Sequence, residues 1–259
     1  MLVDQTLGEE VHGATGLGFA RIDGFAAPSV GYAMRDDVVG LVRAADGEVA
    51  QVEGALVVPE GQADFRAKAP EERISKVFRL HRRPVFAEFI RSPEVARVLT
   101  AVLGPDVDCF LSQFIFKNPG AWGQPWHQDS FYFHFEPARP IVGLWLAITE
   151  ATLENGCLHI LPASHREPIH EHVPDARPGA NYGYVEIVDH DMADAAPLLM
   201  SPGDLLIFDS HLMHRSTDNL STGARGAMVF HFCLPLVGVD QDNLVNDRVP
   251  LLRGGAVVE

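Results

Sequence analysis

The second half of this chain is a succession of short β-rich runs, and this pattern restricts the fold more than any other feature. Segments such as "VDCFLSQFIFKNPG", "IVGLWLAIT" and "GDLLIFDSHLMH" are rich in apolar and β-branched residues and are separated by turn-forming sequences. No helical pattern alternates with them, as it would in a parallel α/β sheet. We therefore expect a sandwich or barrel of the jelly-roll kind over residues 106–235.

The first 105 residues have a mixed pattern in which three segments are predicted to be helical. "VGYAMRDDVVGLVRAADG" has apolar residues at intervals of three and four and stops at a glycine. "PEERISKVFRL" places Ile74, Val77 and Phe78 on one helical face. "SPEVARVLTAVLGP" begins with a candidate serine N-cap followed by proline.

These patterns together predict a mainly β domain with flanking α-helices. We expect residues 1–259 to form a single domain. Its parts are a partly helical N-terminal region (1–105), the jelly-roll core (106–235) and a C-terminal tail (236–259). Within the core, Asn155-Gly156 lies between two β runs and is typical of a hairpin turn.

Composition limits the environment and the partners. The formal charge of −15 argues against nucleic acid or an anionic membrane as the main partner. The three cysteines are widely spaced without a CxxC pair, which fits a reducing compartment. The N-terminal residues have no apolar signal-peptide core, and the longest apolar run, 141–148, is too short to span a bilayer. We expect a cytoplasmic protein.

The segment "WHQD" carries the first candidate metal ligands. His127 and Asp129 are two residues apart, so on an extended segment both side chains could reach one ion. This pair alone is weak support, but His214 follows a later β run and supplies a third ligand. Two imidazoles and one carboxylate form the facial triad of non-haem iron(II) enzymes. His211 competes with His214 for the third position, and the sequence that follows favours His214.

Arg225 strengthens the metal hypothesis because it lies eleven residues after His214, at the start of the next β run. A guanidinium group matches a carboxylate in a bidentate ion pair. This arrangement suits the distal carboxylate of 2-oxoglutarate, whose 2-oxo acid end would occupy open positions on the metal.

The segments "FIFKNPG…WHQDSFYF", "VGLWLAITEATLENGCLHILPASH" and "PGDLLIFDSHLMHRSTDNLS…R" resemble the phytanoyl-CoA dioxygenase family of iron(II)/2-oxoglutarate-dependent oxygenases. The resemblance implies a double-stranded β-helix (a cupin-like jelly roll) and the use of iron(II), 2-oxoglutarate and O2. It implies iron ligation by His127, Asp129 and His214. It also implies cosubstrate binding by four further residues: Gln113, Trp145, Ser216 and Arg225. An additional contact from an earlier strand is open between Gln51 and Lys76.

The reaction that this resemblance implies is hydroxylation of an unactivated C–H bond in a small organic substrate, with release of succinate and CO2. Asp129 favours oxygenation, because related halogenases have a small residue at that position. Desaturation, cyclisation and epimerisation remain open outcomes of the same chemistry. The alternatives are a divalent-metal hydrolase or isomerase on a cupin-like barrel, and a small-molecule-binding relative without turnover.

Three regions are candidates for substrate contact. Phe131, Phe133 and His134 follow the HxD pair, and the phenylalanines either wall the substrate cavity or fill the core. The segment 162–196 is rich in proline, glycine and charge, and such insertions are often lids or binding loops. The basic segment 73–83 is either a solvated face with local ion pairs or an anchor for an anionic substrate.

Overall fold

The computed structural model describes residues 16–61, 68–133, 135, 139–181, 183–235 and 247–258. Its helices are α1 (Pro28–Ala44), α2 (Pro84–Ile90) and α3 (Pro93–Leu103). The strands run in chain order as β1 (Phe19–Ile22), β2 (Ala50–Val52), β3 (Ala55–Pro59), β4 (Ile74–Phe78), β5 (Val107–Lys117), β6 (Ile141–Ala147), β7 (Leu158–Ile160), β8 (His172–Pro174), β9 (Val185–Ile187), β10 (Ala196–Leu198), β11 (Leu205–Asp209), β12 (His214–Ser216), β13 (Arg225–Cys233), β14 (Val249–Arg253) and β15 (Ala256–Val257).

The helices begin where the sequence places proline at the first helical position. In α3 the predicted cap is present, because the Ser92 hydroxyl accepts a hydrogen bond of 3.3 Å from the backbone N–H of Val95. The helical predictions for the segments that form α1 and α3 are confirmed.

The main sheet has the order β1-β11-β6-β13-β5-β4-β3-β2, and all of these pairings are antiparallel. Strand β14 also pairs with β5 and carries β15 at its side. The sheet therefore takes strands from all three predicted parts of the chain. A smaller sheet has the order β10-β7-β12, and β8 pairs with β9. This antiparallel jelly roll confirms the predicted fold class.

Alternation along the central strands divides the interior into two layers. On one face of the main sheet, Leu144, Leu146 and Phe230 pack in the large core that includes the helices. On the other face, Trp145 and Val229 belong to a separate apolar cluster that also includes residues of the small sheet. The candidate site lies on this second side, between the two sheets.

Two local predictions are wrong, and tertiary pairing explains both. "PEERISKVFRL" forms only a 3-10 turn at Pro70–Glu72 before β4, which pairs with β3 and β5. The apolar spacing fits either structure over so few residues, and pairing in the sheet decides for the strand. The Asn155-Gly156 turn does not close a hairpin, because β6 belongs to the main sheet and β7 to the small one.

Candidate active site

The three predicted metal ligands converge in the structure. His127, Asp129 and His214 are buried, and one potential ligand atom from each lies within 4.8 Å of the others. The Asp129 Oδ1 atom is 3.4 Å from His127 Nε2 and 3.8 Å from His214 Nε2. His127 and His214 are also held together through the backbone, where each N–H donates to the other's carbonyl at 3.0 Å.

Backbone carbonyls fix the orientation of both imidazole rings. His127 Nδ1 donates to the carbonyl of Pro125 at 2.8 Å, and His214 Nδ1 donates to that of Leu212 at 2.9 Å. A carbonyl only accepts, so each ring carries its proton on Nδ1 and presents a free lone pair on Nε2. This is the tautomer that a metal ligand requires. The donor set therefore fits a divalent ion such as iron(II).

The electrostatic surroundings keep Asp129 and His214 in the protonation states that bind metal. Burial, and next the neighbouring His127, lower the pKa of His214 to about 4. Burial alone would raise the pKa of Asp129, but His214, His127 and His231 outweigh it and hold that pKa well below its usual value. At neutral pH the triad therefore consists of a carboxylate and a neutral His214.

His231 completes the surroundings of Asp129. Its Nε2 lies 2.7 Å from Asp129 Oδ2, and as the carboxylate is ionised the ring donates this hydrogen bond. The bond occupies Oδ2 and leaves Oδ1 facing the two histidines. Phe208 packs edge-on against His214 with 5.3 Å between ring centroids. A side chain at Gly143 would collide with the Phe208 ring.

Arg225 lines the same cavity as the triad and makes few hydrogen bonds. Its side chain is 2% exposed, yet Nε and Nη1 have no hydrogen-bond partner within the described structure. Its guanidinium lies 5.6 Å from the centre of the Trp145 ring. Burial lowers its pKa to about 10, so it remains charged at neutral pH. A buried, unpaired cation is costly, and this geometry fits an anionic ligand.

Lys117 and Ser216 adjoin this cation. Lys117 is opposite Arg225 in the pairing of β5 with β13. Its Nζ donates to Ser216 Oγ at 2.8 Å and to the Thr217 carbonyl at 2.6 Å. Burial, and then the charge of Arg225, lower the pKa of Lys117 well below its usual value. Ser216 Oγ also accepts from the backbone N–H of Gln124, so its own hydroxyl hydrogen is available to a ligand.

A single cavity of about 390 Å³ joins the triad to Arg225. Gln113, Trp145 and Ser216 line it, as does Lys76. The alternative candidate for the earlier-strand contact, Gln51, lies exposed on β2 outside the lining of the cavity. Lys76 donates to Gln124 at 3.2 Å and lies 4.9 Å from the centre of the Tyr184 ring.

The aromatic residues after the HxD pair do not share one face. The chain forms a 3-10 turn at Asp129–Phe131 directly after the HxD pair. Phe133 lines the cavity and packs against Phe110, whereas Phe131 stacks on His172 with centroids 4.3 Å apart. Phe131 is outside the cavity lining. His134 lies outside the described residues.

Two site residues were missed although the sequence carried a signal for each. Lys117 is four residues from Gln113 on β5, and His231 is six residues from Arg225 on β13. Residues at even spacing on a strand share a face. The alternation that places Gln113 and Arg225 in the cavity therefore also places Lys117 and His231 there.

Comparison with known proteins agrees with this geometry. A family profile described as "Phytanoyl-CoA dioxygenase (PhyH)" matches residues 16–227, which is most of the chain. This chain belongs to that family. Among curated relatives, bovine peroxisomal phytanoyl-CoA dioxygenase is 30% identical over 195 residues, covering 71% of this chain and 58% of the relative. The chain thus spans a little more than half the length of that relative.

Solved structures of similar fold carry ligands of the expected kinds. EvdO2 from Micromonospora carbonacea var. aurantiaca, solved in complex with 2-oxoglutarate, has 25% identity and a TM-score of 0.66, with 90% of this chain and 93% of that chain covered. EctD from S. alaskensis, solved with bound Fe, has 21% identity and a TM-score of 0.66, with 87% and 76% covered. The EctD likeness concerns the fold alone.

The structure also bears on the remaining predictions. Among the described residues, no helix combines the length and the apolar character needed to cross a membrane. The cytoplasmic location stays a prediction. In the basic segment, Arg73, Arg82 and Arg83 form ion pairs with acidic side chains, as the simpler interpretation expected. Lys76, in contrast, lines the cavity.

Proposed function

We propose that this protein is an iron(II)- and 2-oxoglutarate-dependent oxygenase that hydroxylates an unactivated C–H bond of a small organic substrate. The observation that supports this most is the presence of two complementary features in one cavity. One potential ligand atom each from His127, Asp129 and His214 lies close to the other two, and the buried Arg225 has donors without a partner among the described residues. A cupin-like hydrolase or isomerase would use the triad but has no need of that arginine.

In this proposal the triad would hold iron(II), and Arg225 with Ser216 would bind the distal carboxylate of 2-oxoglutarate. The bound metal and cosubstrate supply oxidising power from O2, with succinate and CO2 as co-products. The chain supplies geometry: His231 keeps Oδ1 of Asp129 turned to the metal, and the rings of Trp145 and Phe208 exclude water from the site.

The size of the cavity supports a small substrate. Its volume of about 390 Å³ must accommodate 2-oxoglutarate together with the part of the substrate that reacts. Polar residues of the insertion, Asn181 and Tyr184, form part of its wall. We therefore propose that the 162–196 segment contributes to substrate selection, together with Phe133.

Anaerobic absorption spectroscopy tests the proposal directly. Protein with iron(II) and 2-oxoglutarate should develop a weak visible charge-transfer band, and admission of air should then produce succinate. Arg225→Met should raise the concentration of 2-oxoglutarate needed to form the band, whereas His127→Ala should abolish the band. Absence of both the band and succinate from the wild-type protein would contradict the proposal.

A further inference from the structure

A second cluster of metal-ligating side chains lies in the 162–196 segment. His170 Nε2 is 3.0 Å from Glu167 Oε2, and His190 Nε2 is 3.1 Å from the same oxygen. One potential ligand atom from each of these three residues lies within 4.8 Å of the others. The second nitrogen of His170, Nδ1, is 3.2 Å from Asp189 Oδ1.

These separations match the requirements of a small divalent ion. Zn²⁺ bonds to imidazole nitrogen and carboxylate oxygen at about 2.0–2.1 Å, so ligand atoms at the corners of a tetrahedron are roughly 3.3 Å apart. The two distances from Glu167 Oε2 are close to this value. A water molecule would complete a four-coordinate site on this partly exposed surface.

The surroundings of His170 also fit a metal ligand. Both ring nitrogens of His170 face carboxylates, Nε2 toward Glu167 and Nδ1 toward Asp189. With a metal, Nε2 offers its lone pair and Nδ1–H donates to Asp189. A carboxylate that accepts from the other nitrogen of a ligating histidine is a common feature of zinc sites.

We propose that Glu167, His170 and His190 bind Zn²⁺, with Asp189 orienting His170. The ion would join the chain before β8 to the chain after β9 and so fasten both ends of this strand pair. The strand pair is connected to the candidate iron site, because the Gln128 side chain accepts from the backbone N–H of His170 at 2.9 Å. The zinc site is independent of the proposed oxygenase activity.

Metal titration of the full-length chain tests this inference. Zn²⁺ binding is measured by competition with a chromophoric chelator, and Co²⁺ serves as a spectroscopic probe. The wild-type protein should bind two equivalents, one at each cluster. His214→Ala should retain the ion of the second cluster, with the strong visible Co²⁺ absorption of a four-coordinate site. Combining His190→Ala with His214→Ala should abolish that absorption.

Milder variants protect the test from loss of folding. Glu167→Gln keeps the shape of the side chain and should weaken Zn²⁺ binding by at least about tenfold. Loss of a residue that only orients a ligand already has an effect of this order. Asp189→Asn should weaken it by about 10–100-fold. Glu171→Gln is the matched control, because Glu171 is an exposed carboxylate of the same segment and its removal should leave Zn²⁺ affinity unchanged.

Two results would overturn the inference. One is a His214→Ala protein that is folded and binds no Zn²⁺ or Co²⁺. The other is an affinity in Glu167→Gln equal to that of the Glu171→Gln control. Both results leave open whether the wild-type protein forms the charge-transfer band and succinate. Failure of this inference and failure of the proposed oxygenase function are therefore distinguishable.

Discussion

The two ends of the central cavity differ in how well their polar atoms are satisfied. At the metal end, carbonyls of Pro125 and Leu212 hold both histidine rings, and His231 holds Asp129. At the anion end, Arg225 is as deeply buried, but its Nε and Nη1 have no hydrogen-bond partner among the described residues. One end is organised by the protein itself, and at the other these two donors are left to a ligand.

This difference has an energetic meaning. Orienting the metal ligands in advance reduces the reorganisation that ion binding requires. An unpaired buried guanidinium instead destabilises the ligand-free chain, and an anion that pairs with it recovers that cost. We therefore expect substitutions at the two ends to affect stability in opposite ways while both reduce activity.

The largest effect is expected from removing a triad ligand. His127→Ala should lower turnover at least about a thousandfold, because metal-assisted stabilisation contributes several kcal/mol to the transition state. Metal analysis and succinate formation measure this effect. His211→Ala is the matched control, since His211 is a half-exposed histidine beside the site and should leave iron binding intact. Equal loss of iron in both variants would contradict the assigned ligand set.

Arg225→Met should weaken 2-oxoglutarate binding by roughly 100-fold, since removal of one partner from a buried charge pair costs about 2–5 kcal/mol. The same variant should raise the melting temperature of the ligand-free protein, because it removes a buried charge without a partner. Calorimetric titration and thermal unfolding measure the two effects.

Arg215→Met provides the control for the arginine substitution. Arg215 lies on β12 with its guanidinium 5.1 Å from the centre of the Trp126 ring, and it does not line the cavity that contains the triad. Its replacement should leave 2-oxoglutarate affinity within about twofold of wild type. A lower melting temperature in ligand-free Arg225→Met would show that this arginine is structural.

Each end of the cavity was only partly predictable from sequence. The triad and Arg225 have fixed spacing and rare chemistry, so His127, Asp129, His214 and Arg225 could be named before the fold was known. To predict Lys117 as a site residue, one must know which residues of β5 face the cavity. Strand alternation gives that information, whereas the spacing of motifs does not.

Other features depended on tertiary context that the sequence does not encode locally. Residues 74–78 have a spacing compatible with a helix, and only pairing with β3 and β5 makes them a strand. The turn at Asp129–Phe131 directs Phe131 toward His172, a contact between segments 41 residues apart in the chain. For the same reason Gln51 could not be excluded in advance, because its distance from the site depends on the order of strands in the sheet.

A smaller effect is expected from His231→Leu, which leaves Asp129 Oδ2 without its hydrogen bond. Loss of such an indirect contact typically lowers metal affinity by about 10–100-fold. Iron(II) titration should detect this change, while 2-oxoglutarate affinity at saturating iron should be nearly unaltered. Unchanged iron affinity would mean that Asp129 is oriented by the turn at 129–131 alone.

The smallest and most specific effect concerns protons. Burial and the charge of Arg225 hold the pKa of Lys117 well below its usual value, so the free site disfavours the ammonium form. A bound dicarboxylate would favour the ammonium form and raise that pKa, so binding between the two values takes up protons and weakens as pH rises. Calorimetry in buffers of different ionisation enthalpy should detect uptake of up to about one proton. Lys117→Met should abolish this uptake, and an equal uptake in both proteins would assign the proton to a group other than Lys117.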